Sequence, residues 1–439
     1  MTMRSIGPWT MCGPRWLAAA LLAIGLVVAP LAASRAHAVE GLPQIRKSPR
    51  DTEALRRNFV GIVTGGPTGV YAALGNDLLR LLDDRKAGTL RLAAMIGSGS
   101  INNLDDLWNL PGVSLAVVQG DVLSAYAADP DQFKWLNGNV RYVSRLHTEV
   151  LHVLVRRDAV SKGARTICAL RGKRLNVGGL GSGAKITVDK LFNGLLGLGV
   201  TLDPASLNEA FDQLADGRVD ALAYVVGRPA PVFADEKLAR RFAGGSLDWL
   251  DAPRSLLDAG CDGRPPRDRQ ESAIYEGVTL TAADYPALIR EGRTVDTIGV
   301  PAVLAAYRFE DHRNGRGAAT ATFVQQFFAR AADPESGLGR PGGGYSHAWC
   351  GVDLALPVGG WQRDESAADW LAANGRAVSP MPTRIDCLSG PGGVPAFCRA
   401  KGELVTEFNR QQRVAGKSID PGDPDYLMAF ADWNRRTCR

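Results

Sequence analysis

Two glycine-rich stretches carry the residue types that could hold a small polar molecule. The first is Thr64, Gly65, Gly66, Pro67, Thr68 and Gly69; the second, Gly178 to Gly183, reads GGLGSG. Amides at a helix start have no intrahelical partner and lie at the positive end of the helix dipole. Such loops can therefore receive a carboxylate or phosphate without any lysine. In the second loop Ser182 is placed to cap the following helix while nearby amides stay available. An ordinary packing turn uses the same residues, and the loops alone do not separate the two readings. Neither is a nucleotide fingerprint. The first lacks G-x-G-x-x-G, and the second has neither the Walker glycine spacing nor its Gly-Lys-Ser/Thr ending, so no NAD, ATP or other cofactor is expected.

The elements around these loops read as alternating strands and helices. Residues 58–63 form an apolar strand, and Tyr71, Leu74, Leu78, Leu81 and Leu82 recur at the spacing of one buried helical stripe. A second strand over 89–96 leads into the polar loop Gly97, Ser98, Gly99, Ser100, Ile101 and Asn102, then a short helix over 103–108. A third strand, 113–118, ends in Gln119, Gly120 and Asp121. The strand-rich run 140–157 has a polar interruption at 144–149 and suits a connection leaving this first unit. Strand alternation sends its His147 and His152 to opposite faces, which argues against a shared metal site; Glu149 is a candidate acceptor for a ligand amino group. A second unit repeats the plan, with a strand over 174–177, the GGLGSG loop, a helix over 185–198 and a strand over 219–226. At the end of that strand Arg228 is a candidate partner for a carboxylate, with a surface ion pair as its other reading. The run 294–307 returns to the first unit. Strand ends of this kind are where open parallel sheets bind ligands.

With 439 residues and 45% hydrophobic content, the chain can build two compact domains. Arg4 and Arg15 precede an apolar run over 16–33, and Ala36, His37 and Ala38 form a small-x-small cleavage site, so residues 1–38 are expected to be a secretory signal peptide. Removing it takes away three arginines and no acids, changing 51 basic against 46 acidic residues to 48 against 46. A near-neutral chain without a basic stripe argues against nucleic-acid binding. After loss of Cys12, Cys168, Cys261, Cys350, Cys387, Cys398 and Cys438 remain, an even set that favours disulfides in an exported chain. Their pairing is not legible, although the last four are near enough in sequence to staple the tail. No C-x-x-C spacing occurs, and no metal is expected.

Taken in order, the motifs resemble the TAXI branch of solute receptors serving tripartite ATP-independent periplasmic (TRAP) transporters. The resemblance rests on GGPTGVYAALG at 65–75, GSINNLDDL at 99–107, LAVVQGD at 115–121, EVLHVLVRRD at 149–158, LRGKRLNVGGLGSGA at 170–184, DGRVDALAYVVGRPAP at 216–231 and TVDTIGVPAVLAAY at 294–307. It implies an α/β, type II periplasmic-binding-protein fold: two lobes with a hinge and an interlobe ligand cleft. Residues 39–150 plus about 295–343 would form lobe 1, residues 151–294 lobe 2, and residues 344–439 an accessory extension on the core. Ligand contacts would fall on Gly65, Gly66, Gly69 and Tyr71, joined by Thr64, Ser98, Asn102 and Gln119, and across the cleft by Gly181, Ser182, Gly183 and Arg228. The implied function is a monomeric periplasmic receptor that captures a small anionic solute, an organic acid or acidic amino acid, for a TRAP-type permease. Ala72 stands where a second tyrosine often follows in that family, which leaves the ligand open. A receptor serving a sensor or envelope system, and a secreted hydrolase, are the alternatives. Ser182 lacks a G-x-S-x-G context and no relay is legible, so no catalytic residues are expected.

Overall fold

The computed structural model describes residues 58–67, 69–84, 88–126, 129–234, 236–265, 271–282, 284–310, 315–339, 344–350 and 352–375, with 408, 409, 412, 429, 430 and 433. The expected signal peptide, Thr68, Cys387, Cys398, Cys438 and most of the expected extension beyond 375 lie outside the described residues. Strands β1 (Phe59–Val63), β2 (Arg91–Met95) and β3 (Val113–Gln119) fall within two residues of their sequence-based bounds. They pair in parallel because helices α1 (Val70–Leu82) and α2 (Ser100–Asn109) return the chain between them. Helix α1 buries Tyr71, Leu74, Leu78, Leu81 and Leu82, the stripe its periodicity predicts. Helix α2 starts three residues earlier than expected. Gly99, at φ 122°, makes the turn that lets it start there, so Asn102 lies in its first turn and not in a loop. Residues 130–139 form helix α3 (Pro130–Asn139). Pro130 opens it and Asp129 caps the Gln132 amide at 3.1 Å.

Strand β4 (Val140–Arg156) is continuous over 17 residues, so the polar stretch at 144–149 does not break it. In the second half, β5 (Arg174–Asn176) pairs in parallel with β6 (Thr201–Asp203) and β7 (Ala221–Gly227). The short, polar edge strand β6 was not legible in the sequence. Helix α4 (Gly183–Val188) runs into a π-helical segment, Asp189–Leu195, and α5 (Leu207–Ala215) begins with a Ser206–Glu209 capping box. Strands β8 (Leu247–Trp249), β9 (Glu276–Leu280) and the 13-residue β10 (Val295–Tyr307) complete one sheet of order β2-β1-β3-β10-β4-β7-β5-β6, with β8 on β4 and β9 on β10.

The antiparallel pair β4 and β10 serves both halves. Val143, Leu146, Leu304 and Ala306 pack with Phe323 and Phe327 of helix α6 (Gly315–Ala332). Leu151, Val153, Ile298 and Val300 from the same two strands pack instead with Leu175 and Phe192. Their register is regular through Val300 opposite Glu149 and Pro301 opposite Thr148, then shifts before Val303. A proline lacks the ladder N–H and is accommodated in a sheet at such an irregularity.

After α6 the chain wraps the first half. The buried Asp77 carboxylate of α1 accepts the Ser346 amide at 2.7 Å and the Trp349 indole N–H at 3.1 Å. Trp361 donates to the Gly120 carbonyl at 2.8 Å, and helix α7 (Glu365–Asn374) stacks Trp370 near Phe328. Cys168 and Cys261 form a disulfide spanning 93 residues, and Cys350 is also disulfide-bonded.

His152 sits in the second half, where Phe233, Trp249 and Tyr285 enclose it. Because a carbonyl can only accept, Nδ1–H donates to Val150 O at 2.8 Å, leaving Nε2 to accept from the Tyr285 hydroxyl at 2.7 Å. Burial, the largest cause, lowers its pKa to about 4. The unfolded ring takes up a proton near its ordinary value of about 6.5. Stability from the neutral ring is therefore complete above that pH and falls by about 3 kcal/mol as pH drops toward the folded value. Urea unfolding between neutral pH and about pH 4 should show that loss in the parent and a flatter profile in His152→Asn.

Candidate functional site

The carboxyl ends of β1, β2 and β3 meet those of β5 and β7 where β4 and β10 cross between the halves. Thr64 ends β1, and both its amide and its hydroxyl bond to Met95 O, at 2.9 and 2.8 Å. Its hydroxyl thus closes the β1–β2 junction. Asn103, not singled out in the sequence, donates to Thr64 O at 2.5 Å and Val117 O at 2.7 Å, tying β1 to β3. Gly65 is buried against Tyr71, Gly66 is exposed, and Gly69 turns back through its amide to Gly66 O at 2.8 Å. Gly69 and Gly99 are the N-caps of α1 and α2, and neither helix start has a side-chain cap. Ser98 is exposed, and Arg228 at the end of β7 donates to the Thr279 carbonyl at 2.6 Å.

The remaining expected residues meet across the junction. The Ile101 amide donates to Gly181 O at 3.2 Å, so the carbonyl of Gly181, not its amide, engages the start of α2. The Asn102 side chain packs over Gly181, where a Cβ would come within 2.6 Å of it. Ser182 caps α4 through the Ala184 amide at 3.1 Å, as its position predicts. Gly183 leaves no room for any side chain, since a Cβ there would lie 1.7 Å from the Gln119 Oε1. The two halves are therefore closed on each other.

A buried chain of hydrogen bonds locks this arrangement. Gln119 Nε2 donates to the Thr187 hydroxyl at 3.1 Å, Thr187 donates to Asp121 Oδ2 at 2.7 Å, and the Tyr275 hydroxyl donates to the same oxygen at 2.9 Å. Burial raises the Asp121 pKa, and these two hydroxyls oppose the shift. Ser100 fixes the near end by accepting the Gln119 amide at 2.9 Å. Beside the chain, the Tyr71 and His147 rings meet edge-on, with centroids 5.9 Å apart, and His147 Nε2 lies 3.0 Å from Glu149 Oε1. Tyr71 is buried, and its pKa is raised well above the phenol range, first by desolvation and then by the Glu149 charge. Among the described residues its hydroxyl and His147 Nδ1 are buried polar atoms with no partner in good hydrogen-bond geometry, Ser100 and Glu149 being near enough only to perturb the phenol. Such groups carry a desolvation cost that a bound polar molecule can relieve. His152 bonds to Val150 and Tyr285, partners His147 does not share.

Sequence reasoning singled out Tyr71, Gln119, Ser182 and Gly183. It did not single out Thr187 and Tyr275, because Thr187 falls within a helical pattern and Tyr275 follows a segment that reads only as loop. Asp121 was legible as part of a strand end, without its role as an acceptor across the junction.

A model of the NMT1-like family matches residues 62–312, from β1 past the end of β10. The chain belongs to the NMT1-like family. The match contains both glycine-rich loops, both crossing strands and the Asp121 junction. No curated protein sequence matches this NMT1-like chain. Among solved structures, R. palustris Rpa4515 with adipate covers 74% of this chain and 98% of its own, at 15% identity and a TM-score of 0.36. The alkanesulfonate-binding protein SsuA from Xanthomonas axonopodis pv. citri, bound to MOPS, covers 62% of this chain and 71% of its own, at 18% identity and 0.34. XAC2383 from Xanthomonas citri, bound to chloride ion, covers 73% and 96%, at 12% and 0.38. No ligand is carried over from them. Two α/β halves joined by β4 and β10 give this NMT1-like protein the type II periplasmic-binding-protein fold expected from its sequence.

Closure depends on Gly99, whose φ of 122° disfavours any side chain and whose Cβ would meet Gly181 O at 2.7 Å and Ser182 Cα at 2.9 Å. Those obstacles are backbone and cannot swing aside. Gly99→Ala should hold the halves apart, seen as a larger radius of gyration in small-angle scattering with cooperative unfolding retained. An unchanged radius would show that the loop contact is not what sets closure.

Proposed function

We propose that the protein is a periplasmic solute-binding receptor that captures a small acid between its two lobes and delivers it to a TRAP-type permease, and that the acid carries an amino group, as in an acidic amino acid. The observation that carries this reading is the buried Tyr71 hydroxyl at the lobe junction, which among the described residues has no partner in good hydrogen-bond geometry and lies beside the uncapped start of α1. The helix start suits a carboxylate. The buried carboxylates of Asp121 and Glu149 suit an ammonium group, and between a plain organic acid and an amino acid they favour the second. Contact between the two halves supports capture without chemistry, and the closed form is what a permease would recognise. The Cys168–Cys261 disulfide supports an oxidising compartment, in keeping with export through the expected signal peptide. Among the described residues no helix is long and apolar enough to cross a membrane.

Mass spectrometry of the solute retained through gentle purification, followed by calorimetry with L-glutamate, L-aspartate and glutarate, tests the proposal. Glutamate should bind saturably and unchanged, and about tenfold or more tighter than glutarate, which lacks only the amino group. Glu149→Gln should narrow that gap; equal affinities in the parent protein would remove the amino group from the assignment. Tyr71→Phe should weaken binding by about tenfold. The same change should leave the ligand-free protein equally or more stable, since it removes a buried hydroxyl with no well-placed partner among the described residues. Absence of binding across this set, or consumption of the acid, would sink the receptor reading.

A further inference from the structure

A cavity of ≈ 840 Å³ lies in the half formed by β5 to β9, away from the lobe junction. Glu149 on β4 pairs with Gly227 at the junction, and Val155, which lines the cavity, pairs with Ala221 at the other end of the same ladder. Six residues of strand separate the two by about 20 Å. Buried Leu247, Trp249 and Leu288 contribute apolar wall.

The cavity rim is basic. Arg157, Lys162, Arg165, Arg290 and Arg293 line it together with a single acid, Asp248. That acid is already committed. Arg157 Nη2 lies 3.1 Å from its Oδ2, and Arg293 Nη1 donates to its Oδ1 at 2.7 Å. Oδ1 also accepts the Trp249 amide at 2.8 Å. Lys162, Arg165 and Arg290 make no ion pair within 4 Å among the described residues; all three are exposed along one concave surface, with Arg165 also within electrostatic reach of Asp251 behind it. Their main chain is pinned. Ala164 turns back to Ser161 O at 2.9 Å, Asp251 donates to Arg165 O at 2.7 Å, and Arg293 donates to Arg290 O at 3.0 Å. Like charges gathered along the rim of a concavity add to a positive potential there.

We propose that this cavity is a second binding site, for a small multivalent anion carrying several phosphate or carboxylate groups. Its volume falls within the range of small-molecule pockets. Lys162, Arg165 and Arg290 supply the charge, with guanidinium forks suited to oxyanions. The Arg157–Asp248–Arg293 cluster holds the wall and stays intact without ligand. The site does not depend on the cleft or on the identity of the cleft ligand.

Calorimetric titration of the intact protein with inorganic tripolyphosphate and with citrate, and orthophosphate as the monomeric comparison, tests this. Saturable binding of at least one multivalent probe is expected, weakened about tenfold on raising ionic strength from about 20 to about 200 mM. An Arg165→Gln, Arg290→Gln double variant should lose about a hundredfold in affinity while its melting temperature stays that of the parent. Tyr71→Phe should bind the probe unchanged, which separates this site from the cleft. No saturable binding of either multivalent probe would overturn the proposal. So would binding that the double variant retains, or orthophosphate binding as tightly as the multivalent probes.

Discussion

The antiparallel pairing of β4 with β10 is the constraint on which everything else rests. At about 3.4 Å per residue, 17 and 13 residues are long enough to pass from one hydrophobic core into the other. Both strands are therefore buried at their two ends for different reasons, by the Phe323 and Phe327 face in one half and by the Leu175 and Phe192 face in the other. Where they pass between the cores their apolar burial is interrupted by His147, Thr148 and Glu149 opposite Val300 and Pro301. A sheet that is polar and irregular at its middle and apolar at its ends is a joint. Burial fixes the two ends, and the ladder shifts register between them, once after Pro301 and again after Leu304.

That joint also explains why the candidate site lies where it does. The parallel strands on either side end at the crossing, so α1, α2 and α4 all begin there, and their first amides converge on one region. Close approach is then a matter of backbone clearance, which Gly99 and Gly183 provide. Closure buries the Asp121 carboxylate from one half under the hydroxyls of Thr187 and Tyr275 from the other. A buried carboxylate is tolerable only with such donors, so contact between the halves and the hydrogen bonds to Asp121 Oδ2 support each other.

Much of the scaffold was legible because it rests on local patterns. The α1 stripe, the parallel strands, the cap at Ser182 and the return through 294–307 each follow from periodicity or turn chemistry within a few residues. Parts without a local signal were not. Strand β6 is three residues long and polar, and exists because β5 offers it a free edge. The polar stretch 144–149 reads as an interruption in one dimension, yet pairing with β10 keeps it extended. The wrap of 344–375 around Asp77 joins residues about 270 positions apart in the chain, an ordering that no window of sequence contains.

The sequence by itself determined which loops could take an anion, since unobstructed amides at a helix start are a property of glycine and serine spacing. It also placed Tyr71 at the start of a helical stripe and Gln119 at a strand end. Tertiary structure alone decided what those residues face. Gly181 presents its carbonyl to α2, the Thr64 hydroxyl closes a strand junction, and Arg228 bonds to the β9 main chain. It likewise set the carboxylates of Asp121 and Glu149 in the same buried region as the helix starts. The reason is physical: a residue's capacity for hydrogen bonding is intrinsic to its side chain and local turn, whereas its partner is chosen by long-range closure, which sequence spacing does not encode.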